Sequence, residues 1–258
     1  MEGLNLANRT AGQFIGAVVG GMVIFAILDA APQIAMPNHA DNGKISGSTI
    51  LAKVRSAYAS LKSYRDSGTI KTTLVDKDLR EESSTKIFDT AFVRNRGLGF
   101  HFQFRSKTQD RKPKPKDQFA YMWNPKGVKI FQADKATPTA YSTLDDAMTN
   151  IIAATDGTGY NIPKLLLGGV ITGTDITSLT NVSNAGVVLV NGISCFVING
   201  RSKSSEFVTF WVDTHKYLIR KSMVRALLAN YVSETTTLFR SDFDVSVSNE
   251  ELIVRSPL

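Results

Sequence analysis

The feature that most constrains this chain is a train of short segments in which apolar and polar residues alternate. The clearest is LGFHFQFR, where Leu98, Phe100, Phe102 and Phe104 alternate with Gly99, His101, Gln103 and Arg105. A period of two places the four large apolar side chains on one face of a strand. Alternation or β-rich composition recurs over 66–76, 84–94, 118–124, 127–132, 185–190, 193–199, 205–213, 216–225, 231–242 and 246–254. Turns as short as Asn124-Pro125-Lys126-Gly127, Asn191-Gly192 and Asp213-Thr214-His215 separate several of them. Strands joined so tightly must be antiparallel. The expected fold is therefore mainly β (α+β), a curled antiparallel sheet of about ten or eleven strands.

Few helices interrupt this pattern. Ser48 can cap a helix over 48–62 whose apolar stripe is Ile50, Leu51, Val54, Ala57, Tyr58 and Leu61. Ser142 and Thr143 precede Asp145 and Asp146, and Leu144, Ala147, Met148, Ile151 and Ile152 repeat at helical spacing, which predicts a second helix over 142–154. A helical turn follows over 162–167 and stops at Gly168-Gly169. A large twisted sheet curls, and its concave face must be filled. The inner residues on hand are Phe88, Phe92, Phe100, Phe102, Phe104, Trp123, Phe210 and Trp211, with Met148, Ile151 and Ile152 on the covering helix. Either the sheet closes on these side chains as a plain core, or it leaves an apolar cavity beneath a helical lid, a space that suits acyl chains.

The remaining features narrow the setting. Residues 10–28 carry no charge and reach about 28 Å as a helix, long enough to cross a bilayer. Arg9 precedes this run and Asp29 follows it, so the bias of positive residues toward the cytoplasm places the rest of the chain outside. The expected organisation is a membrane anchor or signal peptide over 1–28, a Pro-containing linker over 29–43 and one domain over 44–258. The net charge of +7 concentrates in one loop, at Arg105, Lys107, Arg111, Lys112, Lys114 and Lys116. That loop lacks interleaved aromatics, which argues against nucleic acid; it reads first as a solvated loop, with contact to anionic headgroups or an acidic partner as the alternative. A single cysteine, Cys195, lies in an apolar hairpin and reads as buried and structural, and three scattered histidines have no zinc-like spacing. No nucleophile-elbow, phosphate-loop, dinucleotide-binding or metalloprotease motif is present, so no catalytic residue, metal or cofactor is expected. His101 and His215 occupy an ordinary strand and an ordinary turn position.

Helix followed by YASLKSYRDSGTI, then FDTAFVRNRGLGFHFQFR, YMWNPKGVKIF and VNGISCFVINGR with FVTFWVDTHKYLIRKSM, resembles the LolA/LolB-like lipoprotein-carrier superfamily over roughly 48–254. The hairpin from Trp211 to Ile219 matches the WxDxxxxLI pattern typical of its exported relatives. The resemblance implies an unclosed β-barrel with a helical lid, and a hydrophobic cavity that accepts lipid or lipoprotein acyl chains without chemistry. It also implies that Arg94, after Phe92-Val93, holds the lid closed, although Asn95 stands where the carriers have proline. The function expected is non-catalytic lipid or lipoprotein binding in the periplasm or on the extracytoplasmic face of the inner membrane, tethered by residues 10–28. An envelope interaction or sensor module with a plugged cavity is the alternative.

Overall fold

The computed structural model describes residues 45–105, 118–132, 135, 137–155, 157–173 and 175–252. The anchor and linker expectations, on residues 1–43, and the basic positions Lys107, Arg111, Lys112, Lys114 and Lys116 lie outside the described residues, as do the side chains of His101, Phe102, Phe104 and Arg105.

Eleven strands among the described residues form one antiparallel sheet. They are β1 (Ser63–Asp76), β2 (Glu81–Val93), β3 (Gly97–Arg105), β4 (Gln118–Asn124), β5 (Gly127–Gln132), β6 (Thr139–Tyr141), β7 (Thr180–Val190), β8 (Ile193–Arg201), β9 (Phe207–Asp213), β10 (Ile219–Leu227) and β11 (Tyr231–Phe243). Their order in space is β6-β5-β4-β3-β2-β1-β11-β10-β9-β8-β7. The chain thus runs from the centre to one edge, passes through helices to the opposite edge, and returns to the centre. β6 and β7 each pair on one side only, so the sheet is not closed. Asn191 and Gly192 both take positive φ, 49° and 80°, at the β7–β8 turn, the conformation that an Asn-Gly hairpin favours.

Three helices pack into the core, α1 (Gly47–Ser60), α2 (Leu144–Thr155) and α3 (Thr158–Leu166). Ile50, Leu51, Val54 and Tyr58 form the buried stripe of α1. Its cap is Ser46, whose Oγ accepts from the Thr49 amide at 3.2 Å, two residues before the expected Ser48. α2 begins where the Thr143 hydroxyl accepts from the Asp146 amide and the Asp146 carboxylate accepts from the hydroxyls of Ser142 and Thr143. α3 is longer than the expected turn and contains Pro163. Proline has no N–H to give the Gly159 carbonyl one turn back. The Tyr121 hydroxyl of β4 donates to that carbonyl instead, at 2.6 Å, so the break in the helix ladder becomes a bond between helix and sheet.

The centre of the concave face is aromatic. Phe88 of β2 stacks on Phe100 at 6.1 Å between centroids, Phe100 stacks on Tyr121 at 5.4 Å, and Phe239 of β11 meets Phe88 edge-on at 5.7 Å. Phe88 and Phe239 both lie beside Gly68 on β1. A Cβ there would stand 2.2 Å from the Phe88 ring, so only glycine lets the ring cross the strand.

One expected strand is absent among the described residues. Within 246–254, residues Asn249–Leu252 form a helical turn, α4. Ser248 and Glu251 cap each other there, since the Ser248 hydroxyl accepts from the Glu251 amide and the Glu251 carboxylate accepts from the Ser248 amide.

Candidate functional site

The concave face divides into two halves of different character. On the β1–β5 side the described side chains pack together closely. Phe88, Phe92, Phe100, Met148 and Ile151 are buried in one continuous core with Tyr58, Tyr64 and Tyr121, and Trp123 packs against its edge. On the β9–β11 side a cavity of about 540 Å³ remains. Of the residues expected to meet a lipid, Ile152 and Phe210 line it. Adjacent strand residues face opposite ways, and Trp211 takes the other face, where the Lys221 ammonium sits 4.2 Å from its ring centroid.

Strand register explains the lining. Phe210 lies opposite Ser222, which lies opposite Thr237; one row further out Val208, Val224 and Thr235 align in the same way. Ala226 and Ser233 form the outermost row. Ile176 and Leu179 close the cavity from the segment before β7, and Tyr160 and Asn161 of α3 complete it. The mouth lies at the β8–β9 turn, where the Glu206 carboxylate accepts from the hydroxyls of Ser202 and Ser204 beside exposed Lys203. The hydroxyl residues of the floor carried no signal in the sequence, because a lone Ser or Thr in a strand is ordinary until pairing brings several onto one face.

Arg94 stands in the turn after β2, against the ends of two helices. Its Nε donates to the Leu61 carbonyl at 2.8 Å, and its two terminal nitrogens donate to the carbonyls of Tyr58, at 3.2 Å, and Leu166, at 3.3 Å. These carbonyls lie at the C-termini of α1 and α3, where the helix dipole favours a cation, and that of Tyr58 also accepts from the Leu61 amide at 3.3 Å. Asn95 takes φ of 66°, a left-handed turn that asparagine tolerates and proline cannot adopt.

A polar cluster is buried beneath α1. The Tyr64 hydroxyl donates to Asp66 Oδ2 at 2.7 Å and lies 3.1 Å from the Ser241 hydroxyl. Tyr58 accepts from the Ile219 amide at 3.2 Å. Asp66 is 1% exposed, and its Oδ1 and the Thr90 hydroxyl on the paired strand are both buried. Burial pushes the Asp66 carboxyl up to about 7, against the lowering effect of the Thr90 and Tyr64 hydroxyls. Two rows away Lys86, 5% exposed, is held down to about 8 by burial. Cys195 is fully buried and its thiol is pushed up to about 11, consistent with a structural role. Asp213 caps the β9–β10 turn by accepting from the amides of His215 and Lys216, and pairs with Arg220 at 2.8 Å. The acidic residue of the WxDxxxxLI pattern therefore serves the hairpin. The exposed His215 lies outside the cavity lining. No group of three metal-ligating side chains occurs among the described residues.

No protein-family model and no curated protein matches the chain. Similar solved structures include LprF from Mycobacterium bovis, at 12% identity over 78% of this chain and 94% of that one, with a TM-score of 0.44. They also include the lipoprotein LppX from Mycobacterium tuberculosis, at 14% identity over 77% and 97%, with a TM-score of 0.41. A LolA superfamily protein from Nitrosomonas europaea matches at 12% identity over 82% and 99%, with a TM-score of 0.32.

The buried carboxyl sets a pH dependence. A folded value near 7 against 3.8 for the free group means that the folded state holds the proton more tightly. The Asp66 contribution is fully present below about pH 4 and is lost as pH rises through 7. Asp66→Asn should therefore gain stability relative to the wild type between pH 4 and pH 8, by on the order of 3 kcal/mol, in urea titrations at each pH.

Proposed function

We propose that the domain over 44–258 binds the acyl chains of a lipid or lipoprotein, without catalysis, in the cavity over β9–β11. One observation carries this reading. Where the described side chains pack closely over β1–β5, about 540 Å³ stays open over β9–β11, within the range of small-molecule sites, with Ile152, Ile176, Leu179, Val208, Phe210 and Val224 on its walls. An apolar ligand that enters this open cavity displaces water from its apolar walls and gains dispersion contacts with them. The aromatic half, with Phe88, Phe92 and Phe100, is a plug in the resting state and a surface that α2 can uncover through Met148 and Ile151. Arg94 is the latch in this reading, tying the C-termini of α1 and α3 to the end of β2. The uncharged run 10–28 supports a tethered position on the extracytoplasmic face of a membrane. The basic stretch from Arg105 to Lys116 supplies contact with anionic headgroups.

Two measurements test this reading. An apolar fluorescent probe should bind the full chain at micromolar concentration and be displaced by a fatty-acyl competitor. Ala226→Trp, which fills the mouth from β10, should abolish binding with little change in thermal midpoint, whereas Lys126→Ala should leave it intact. Equal binding by both variants would remove the cavity from the account.

For the latch, Arg94→Lys keeps the charge and loses the planar fork. Amides at the C-terminus of α3 should then exchange about tenfold faster, the loss of roughly one charge-assisted hydrogen bond. Arg96→Lys should have no such effect, and identical exchange in the two variants would reduce Arg94 to a strand-end charge.

A further inference from the structure

The floor of the cavity is not uniform. Across three adjacent strands its character changes from apolar to hydroxylated. β9 contributes Val208 and Phe210, whereas β11 contributes Ser233, Thr235 and Thr237, and Ser222 of β10 joins the hydroxyl side. Neighbouring strands stand about 4.8 Å apart, so the two strips lie about 10 Å from each other. On β11 the hydroxyl residues recur at every second position from the mouth inward, about 7 Å apart. The side chains of Ser222, Ser233 and Thr237 make no hydrogen bond to another described residue, and Thr235 has only Thr72, at 3.2 Å. Thr237 and Ser222 are 5% and 6% exposed. Their hydroxyl oxygens are not among the buried ones that lack a partner, so they open onto the cavity, and a ligand that displaces water there must replace its hydrogen bonds.

The mouth carries mixed charge. Lys203 is accompanied by Glu206 and Asp175, so the described lining residues have one cation and two carboxylates. A carboxylate or phosphate head would meet more negative than positive charge there, whereas an uncharged head meets no such penalty.

We infer that the ligand of this site is a single-chain acyl ester of a polyol, with its chain against Val208, Phe210, Ile176 and Leu179 and its ester and hydroxyl groups along Ser222, Ser233, Thr235 and Thr237. The inference rests on the reading of the cavity as an acyl-chain site and adds the chemistry of the head. A volume of about 540 Å³ takes one chain with a small head. A purely aliphatic ligand leaves the hydroxyl strip without partners, and an anionic one meets two carboxylates against one cation among the described lining residues.

The test uses the full chain with three ligands of equal chain length, a monoacylglycerol, the free fatty acid and an alkyl probe without a polar head. The wild type should bind the monoacylglycerol about tenfold more tightly than the fatty acid, the gain of one or two hydrogen bonds in a buried site. The double variant Thr235→Val and Thr237→Val keeps the shape and branching of both side chains. It should lose that preference while holding the alkyl probe as tightly as the wild type or more so. The wild-type selectivity needs no variant and stands as a test if the double variant does not fold. Fatty acid bound as well as monoacylglycerol, or a preference unchanged by the two valines, overturns the inference and leaves the acyl-chain reading in place. Failure of the alkyl probe to bind overturns both.

Discussion

A curled sheet of eleven strands has a concave face too large for the helices available to cover it. α1, α2 and α3 have 14, 12 and 9 residues. α2 packs on β4, β5 and β6 and α3 on β3, on the side where the aromatic residues stand, while α1 reaches across to β7. Phe88, Phe100 and Tyr121 fill depth that an aliphatic core would leave empty, and Gly68 lets the Phe88 ring lie across the central strand. Beyond β11 the inner residues are smaller and the roof recedes to Ile152, Ile176 and Leu179, so the unfilled volume collects over β9–β11. The cavity is thus the remainder of a packing problem, placed by where the large side chains stop.

The helices stay in place through polar contacts to their ends as much as through apolar burial. Arg94 donates to three carbonyls at the ends of α1 and α3. Tyr121 satisfies the Gly159 carbonyl that Pro163 cannot, and Tyr58 receives the Ile219 amide at the start of β10. Each contact is worth a few kcal/mol at most, less than the burial of one aromatic side chain with its neighbours. Such bonds hold orientation, and they can release without dissolving the core. The helices over a ligand site need that combination.

Much of this architecture was legible from residue period alone. LGFHFQFR declared a strand, Asn191-Gly192 declared the β7–β8 hairpin, and the stripe from Leu144 to Ile151 declared α2. Where the reading failed, a local rule had been outweighed or overlooked. β6 has three residues, too few for alternation to register. The first half of β7, TNVSN, is polar because it lies on an open edge. Residues 249–252 form a helical turn that the Ser248 and Glu251 capping pair signals, although the flanking apolar residues suggested a strand. The cavity floor was illegible for a deeper reason. Ser222, Thr235 and Thr237 share a surface only through the pairing of β10 with β11, and register across a hairpin cannot be read from either strand by itself.

The central claim is that the aromatic half is core and the β9–β11 half is the binding site. Crystallography of the chain with a monoacylglycerol bearing a terminal bromine tests this most directly, since the anomalous signal locates the chain end. The account predicts a single bromine site among Ile176, Leu179, Val208 and Phe210, with Phe88 still stacked on Phe100. A bromine between those two rings, or none within the concave face, would contradict it.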